Sequence, residues 1–348
     1  MRIGIVTPAF NVAPYIGETI GSVLAQTHRD WTMVVVDDGS TDGTASVVRK
    51  FADPRLRLIS QANAGVSAAR NCGAASMACD ATMFLDGDDW LAPFALHSLA
   101  EALSAAPNAL AAMGAYERGG RVYPPASGSL LEQLLVRNLF VNGGHVLIRQ
   151  AAVQPFQEDL RYGEDWEFWV RLLLPPTGGN DDTPMAPPRP AGGCRHLRIS
   201  ASGTFPAVGP GMRRDDVGAS VGEVSAMTMV SNGDSRPILH VRECPSGAYL
   251  RMATDPTSFN ACLDAIHGNP ALPAIFHPEK RAALRRQADA EVQWTIGREL
   301  IRHRRYREGL SRLGRSLAQA PTLRRAALLA AIAVLPPRWR GPLYPYDE

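Results

Sequence analysis

"FLDGDDW", residues 84–90, sets Asp86, Asp88 and Asp89 at the end of the apolar run "ATMFL". Carboxylates this close repel one another, so the arrangement calls for a cation. Hard oxygen ligands favour Mg²⁺ or Mn²⁺, bound jointly with substrate phosphates. Gly87 permits a tight path between Asp86 and Asp88, and Trp90 and Pro93 stand where they would buttress the turn. An acidic turn capping the next helix explains the pair alone equally well. The strand ahead of it tips the reading toward a site for a metal and a diphosphate.

"VVVDDGSTDGT", residues 34–44, is a second acidic strand end. Asp38, Ser40, Asp42 and Gly43 imitate the first half of an EF-hand loop, but the twelfth position from Asp38 is Arg49 where that loop needs glutamate. A better reading is a strand-end carboxylate that accepts from a base or ribose, with Ser40, Thr41 and Asp42 capping the next helix. "NAGVSAARNCGA", residues 63–74, opens a helix whose first-turn amides suit a phosphate, with Arg70 on its body. Arg70 by itself reads equally as a surface or salt-bridged arginine. "YGEDWEFWVRL", residues 162–172, puts Glu164 and Asp165 in the first turn of a helix whose Trp166, Trp169 and Leu173 face inward. Acids there are expected from the helix dipole alone; beside a diphosphate site, one of them could act as a general base. The histidines have no ligand spacing and are assigned no chemistry.

These residues need elements to carry them. From residue 3 to 89, β-rich runs ("IGIVTPAF", "WTMVVVDDG", "LRLISQ", "ATMFLDGDD") alternate with helical ones ("YIGETIGSVLAQT", "TASVVRKFA", "VSAARNCGAASMA"). That alternation predicts an α/β fold with a parallel sheet covered on both faces. Ligands of such sheets gather at the carboxyl ends of the strands. Three strand ends, at Thr7-Pro8, Asp37-Asp38-Gly39 and Asp86–Asp89, could therefore line one crevice. A further strand, "HVLIR", precedes the Glu164 helix.

Residues 175–235 are rich in Pro, Gly, Ser and Asp, and read as a poorly ordered insertion or as the product of a frame error in the gene. Beyond residue 278 apolar positions recur at helical spacing, and Trp294, Tyr306, Gly309, Leu313 and Pro321 faintly suggest a helical-hairpin unit. "AALLAAIAVL", residues 326–335, follows with basic flanks. It could dock on its own domain, the favoured use, or lie in a membrane interface.

The bulk numbers bound the partners. A chain of 348 residues with formal net charge +2 gives no argument for nucleic acid. Arginines do gather after about residue 280, which suits a solvated helical face or, less well, an anionic membrane surface. The five cysteines are odd in number and scattered, so a reducing, cytoplasmic setting is expected. The N-terminal run is too short for a signal peptide, and no stretch reaches the roughly eighteen apolar residues of a membrane span.

Taken in order and at these distances, "IVTPAFNVAPYIGETIGSVLAQTHRDWTMVVVDDGSTDGT", "NAGVSAARNCGA", "FLDGDDW" and "GEDWEFWVRL" closely resemble the family-2 glycosyltransferases. The resemblance covers roughly residues 1–174 and implies a GT-A fold: a Rossmann-like, mostly parallel sheet flanked by helices. The division expected is a GT-A domain at 1–174, the insertion at 175–235, and an acceptor-side remnant with C-terminal helices at 236–348. The resemblance further implies inverting transfer of a sugar from a nucleotide-diphosphate donor, a UDP-sugar favoured, to a hydroxyl of a glycan or lipid-linked acceptor. The setting would be cell-surface or exopolysaccharide synthesis, in the cytoplasm or peripherally at the inner face of the membrane. By the same resemblance Pro8, Ala9 and Phe10 border the nucleotide, Asp38 holds the base, and Arg70 approaches the donor. Asp86 and Asp88 form the D-x-D pair, with Asp88 the more direct contact to Mn²⁺ or Mg²⁺, and Asp165, with Glu164 beside it, is the catalytic base.

Three other readings stand beside it. A sugar-phosphate nucleotidyltransferase would share the acidic metal pair but wants a glycine-rich phosphate loop that "TPAFNVAPY" lacks. A non-catalytic nucleotide-sugar-binding protein would keep the donor side alone. A dehydrogenase is weakest, because no G-x-G-x-x-G follows the first strand.

Overall fold

Four apolar runs in the first ninety residues become the centre of a sheet. They are β1 (Ile3–Ala9), β2 (Trp31–Asp37), β3 (Leu56–Ser60) and β4 (Ala81–Phe84). All four pair in parallel in the order β3-β2-β1-β4. Strands covered on both faces must be apolar nearly throughout, and every residue of β1 except Pro8 is buried. The computed structural model describes residues 1–140, 143–175, 195–196, 229–242 and 256–334.

The rim of the sheet departs from the parallel pattern. β9 (Val146–Arg149) runs antiparallel to β4, and β6 (Ala111–Met113) antiparallel to β9. β11 (Met229–Ser231) adds in parallel to β6, and β10 (Arg195–His196) antiparallel to β3. A smaller sheet joins β5 (Trp90–Leu91), β12 (Pro237–Val241), β7 (Ala115–Arg118) and β8 (Arg121–Tyr123) in the order β5-β12-β7-β8. The class is the expected α/β, with a parallel core and a mixed edge.

The helices between these strands follow the apolar spacing. α1 (Ile16–Leu24) buries Ile16, Thr19, Ile20 and Val23, and α4 (Ala95–Ala105) buries Leu96, Leu99 and Leu103. α3 is Val66–Ala75. α2 (Thr44–Val48) is shorter than "TASVVRKFA" suggests. The chain must turn by Asp53, which precedes Pro54 and is disfavoured in helix, and there the Asp53 carboxylate accepts from the Arg55 amide at 2.9 Å.

Two compact units interleave along the chain: Met1–Pro125, Asn142–Phe156 and Gly178–Arg242 form the first, and Ala126–Val141, Gln157–Thr177 and Glu243–Glu348 the second. The described part of the second is helical: α5 (Leu130–Leu134), α6 (Glu164–Leu173), α7 (Pro256–His267), α8 (Leu272–Ile275), α9 (Pro278–Arg302), α10 (Tyr306–Gln319) and α11 (Leu323–Val334). α9 and α10 form a helical hairpin. A side chain at Gly297 would stand 3.0 Å from the Gly309 carbonyl, and Ser316 Oγ donates to Ala290 O at 2.7 Å. Trp294, Ile301, Leu313 and Ile332 form the hydrophobic cluster of this hairpin and α11.

Apart from residues 175, 195–196 and 229–235, the Pro/Gly-rich stretch lies outside the described residues. Among those described, no helix is long and apolar enough to cross a membrane.

Candidate functional site

In the first unit, parallel pairing sends β1, β2 and β4 out at one edge of the sheet: Ala9 lies opposite Asp37, and Val6 opposite Phe84. The loops after them hold the residues singled out from sequence. Phe10 leaves β1 with 49 % of its surface exposed, while Pro8 is half-buried and Ala9 buried. Asp38 N donates to Ala9 O at 2.9 Å, tying the first two loops together at their start.

Most polar groups of the Asp37–Thr44 loop are spent on architecture. Asn11, at φ 55°, donates its amide to Ser40 Oγ at 3.0 Å and accepts from Thr41 N at 2.8 Å. Val12 N donates to Thr44 Oγ1, and Ala13 N to Asp42 Oδ2, both at 3.0 Å. Burial pushes the Asp42 carboxyl up, but the bonds from Thr44 and Ala13 outweigh it and hold its pKa below the usual value. Ser40 and Thr41 therefore do not cap the next helix as expected, because the β1 loop occupies them. Gly43 takes the cap position, and of the three only Asp42 accepts from the helical amide of Thr44.

The two consecutive aspartates have separate tasks. Asp37 Oδ1 accepts from Ser40 N at 3.1 Å, closing the turn. Asp38 is 3 % exposed; its Oδ1 accepts from Gln61 Nε2 at 2.8 Å and Ala64 N at 2.9 Å, and its Oδ2 from Gly65 N at 2.9 Å. One carboxylate thus fixes the segment that leads into α3. A carboxylate offers about four lone-pair sites, so these three bonds leave room for one further donor.

α3 carries Arg70 to the acidic turn. Its Nη2 donates to Asp86 Oδ1 at 3.0 Å, with the arginine side chain 6 % and the aspartate 22 % exposed. The guanidinium also lies 5.1 Å from the Phe156 ring, which meets Phe84 edge-on at 4.9 Å. Phe156 is held in turn by Asn71, which donates to its carbonyl at 2.9 Å and accepts from its amide at 2.8 Å. Of the two plain readings of Arg70, the salt-bridged one is correct and the surface one is not.

The turn itself is gripped from several sides. Thr19 Oγ1 donates to Gly87 O at 3.0 Å, and a side chain at Gly87 would stand 3.1 Å from Val12 and 3.3 Å from the Pro8 carbonyl, a tight fit that a larger residue would enter only by displacing its neighbours. Asp89 is buried and accepts from Arg242 N at 2.9 Å. Beyond the turn, Trp90 stacks on His240 at 5.3 Å, and Pro93 O accepts from Thr27 N at 2.8 Å. Asp86 and Asp88 alone among the three acids remain half-buried.

Sequence reasoning missed Arg242. It stands 154 positions from Asp88 in sequence and behind the Pro/Gly-rich stretch, where no local pattern marks it. Asp86 and Asp88 supply hard oxygen donors on one turn. Among the described residues no group of three His, Cys, Asp or Glu is arranged to hold an ion. An ion shared with substrate phosphates needs only one or two protein carboxylates, so the donor set fits Mg²⁺ or Mn²⁺ in that mode.

Glu164 and Asp165 lie in the second unit, half-buried at the start of α6. Asp165 Oδ2 accepts from Asn138 Nδ2 at 2.9 Å, another partner not legible from sequence. Gly163, at φ 75°, begins the helix, and a side chain there would stand 2.5 Å from Cys262 Sγ. Burial, and then the charges of Asp165, Glu164 and Glu167, push the Cys262 thiol well above its ordinary pKa. Trp166, Trp169 and Leu173 face inward as expected, with Trp166 Nε1 donating to Leu134 O at 2.5 Å.

Residues 4–155 match the family model described as Glycosyl transferase family 2. This segment belongs to glycosyl transferase family 2. The chain is 39 % identical over 92 residues to Glycosyltransferase GlyA of Streptococcus pneumoniae, covering 26 % of this chain and 13 % of that protein. Uncharacterized glycosyltransferase EpsJ of Bacillus subtilis is 34 % identical over 186 residues, 48 % of this chain and 54 % of its own length. The glucosyltransferase WfgD of Escherichia coli is 28 % identical over 180 residues, 49 % of this chain and 69 % of its own. The chain thus spans no more than about half the length of GlyA or EpsJ. Among solved structures, a mannosyltransferase from Pyrobaculum calidifontis shares the fold with TM-score 0.54 at 16 % identity, over 98 % of this chain and 83 % of that one. Pro8, Ala9, Phe10, Asp38, Arg70, Asp86 and Asp88 all fall inside the family-2 segment; Glu164, Asp165 and Arg242 fall beyond it.

Proposed function

We propose that this protein transfers a sugar from a nucleotide-diphosphate donor to an acceptor hydroxyl, with inversion at the anomeric carbon. The observation that carries the reading is the half-buried Asp86–Asp88 pair, set at the edge where β1, β2 and β4 end and tied by Asp86 to the buried Arg70.

Each residue has a task within it. Phe10 offers an exposed ring for a base to stack on, bordered by Pro8 and Ala9. Asp38 accepts from the base with its remaining lone pair and keeps α3 in place with the others. Arg70 faces the donor's charge while orienting Asp86. Asp88 and Asp86 would hold Mn²⁺ or Mg²⁺, which when bound offsets charge on the departing diphosphate. Asp165, beside Glu164, takes the proton of the acceptor hydroxyl; Asn138 orients its carboxylate, and the positive end of α6 stabilises its charge.

A UDP-sugar is the favoured donor, and a glycan or lipid-linked molecule the acceptor, in cell-surface or exopolysaccharide synthesis. Two relatives support the chemistry by name: WfgD is a UDP-Glc:alpha-D-GlcNAc-diphosphoundecaprenol beta-1,3-glucosyltransferase, and the P. calidifontis enzyme is in complex with GDP-Man and Mn²⁺. We further propose a cytoplasmic protein that touches the inner face of the membrane peripherally. α11 supports this, because Leu323 is 91 % exposed beside the exposed Arg324.

The test is turnover of a panel of UDP- and GDP-sugars with Mn²⁺, reading nucleoside diphosphate release and, by NMR, the anomeric configuration of the product. Asp165→Asn should abolish release while leaving diphosphate affinity unchanged. Full activity in that variant, or a retained configuration, would overturn the mechanism.

A further inference from the structure

We propose that Arg242 is a positioning residue that sets the geometry of the Asp86–Asp89 turn and thereby the metal affinity of Asp88. The inference rests on the diphosphate-and-metal reading of that turn and extends it to a residue outside the family-2 segment.

Arg242 contacts the turn through both its main chain and its side chain. Its amide donates to Asp89 Oδ1 at 2.9 Å, and its Nε donates to the Asp88 carbonyl at 3.1 Å. The guanidinium lies 4.8 Å from the Tyr15 ring and 4.9 Å from the Trp90 ring, and Nη2 pairs with Glu18. An arginine between two rings and bonded at two nitrogens has little freedom left, so the position of its Nε–H is fixed.

What it fixes is the backbone on which Asp88 stands. Thr19 of α1 donates to the Gly87 carbonyl, and Arg242 to the Asp88 carbonyl, so the peptide planes on both sides of the Asp88 side chain are held. The preceding residue of α1, Glu18, holds Arg242 itself. β12 sets the arginine's place in the chain. Its Leu239 and His240 pair with Leu91 and Trp90 of β5, and His240 stacks on Trp90 while its Nδ1 lies 2.8 Å from Glu117 Oε2. The turn is thereby clamped between α1 and the strand that ends at Val241.

The experiment compares wild type, Arg242→Ala and Arg242→Lys, each checked by thermal melting, in two measurements. Hydrogen exchange on the metal-free protein reads the turn directly: Arg242→Ala should speed exchange at residues 87–90 and leave the amides of β1 and β2 unchanged. This arm needs no donor and decides the positioning claim even if the protein binds no diphosphate, a result that would overturn the proposed function instead. Titration of UDP with and without Mn²⁺ reads the consequence. Arg242→Ala should weaken the metal-dependent part of binding by about 10–100-fold, as removal of a group that orients a metal ligand usually does, with metal-free affinity unchanged. Arg242→Lys, which keeps the charge but not the planar fork, should restore only part of it. Unchanged exchange at the turn would overturn the proposal, and so would an equal loss of affinity with and without Mn²⁺.

Discussion

The two acidic strand ends of the first unit use the same residue type for opposite purposes. After β2, the carboxylates of Asp37, Asp38 and Asp42 each accept from protein N–H groups, and Asp38 accepts three. After β4, Asp86 and Asp88 stay half-buried on a turn whose Gly87 and Asp88 carbonyls accept from Thr19 and Arg242, with Arg70 paired to the Asp86 carboxylate. A carboxylate that accepts from three protein N–H groups serves the scaffold first, with one lone-pair site left over. The pair after β4 stands half-buried on a turn clamped through its main chain, at the edge where β1 and β2 also end.

This contrast can be broken by substitutions, and the largest effect is expected at Arg70. Arg70→Ala leaves Asp86 without its buried cation, and loss of one partner of a buried pair costs about 3–5 kcal/mol. Because Asp86 keeps some solvent contact, the lower end is expected, read by urea denaturation. Asp38→Ala comes next. It removes the acceptor of the Ala64 and Gly65 amides; both residues are exposed, so water can replace it and the loss is about 1 kcal/mol per bond. The loss should appear as faster hydrogen exchange at the start of α3. A variant as stable as wild type would return Asp38 to the ligand side of the comparison.

A smaller effect concerns pH. His145 is buried, and burial lowers its pKa from 6.5 to about 3. Between these values the unfolded chain binds a proton that the folded chain does not. Stability is therefore complete above about pH 6.5 and falls as pH drops toward 3, by at most about 1.4 kcal/mol per pH unit. His145→Phe should flatten the urea midpoint between pH 7 and 5, though not fully, since burial and the charge of Arg285 also lower His267. Smallest of all, the Cys262 thiol, pushed up by burial, should resist alkylation in the folded protein, with Cys72 the faster site by mass spectrometry.

How much of this was legible in the sequence follows from the range of the interactions. β1 to β4 could be read because strands covered on both faces are nearly unbroken apolar runs, and α1 because four residues at helical spacing are buried. The D-x-D turn was legible because three acids stand at the end of such a run. Ser40 and Thr41 misled, because Asn11, which occupies them, lies 29 and 30 positions away. Arg70 looked ambiguous for the same reason: its partner Asp86 is 16 residues on, and only the fold brings them to 3.0 Å. Arg242 and Asn138 were not visible at all, since their value lies in long-range bonds to Asp88 and Asp165.

The most direct test of the central claim sets the two strand ends against each other in one titration. UDP is titrated into wild type, Asp88→Ala and Asp38→Asn, each with and without Mn²⁺. Wild type should gain affinity with the ion, Asp88→Ala should lose that gain while melting as wild type does, and Asp38→Asn should keep the gain but melt earlier. An Asp88→Ala protein that responds to Mn²⁺ as wild type does would contradict the assignment of the turn after β4 as the site.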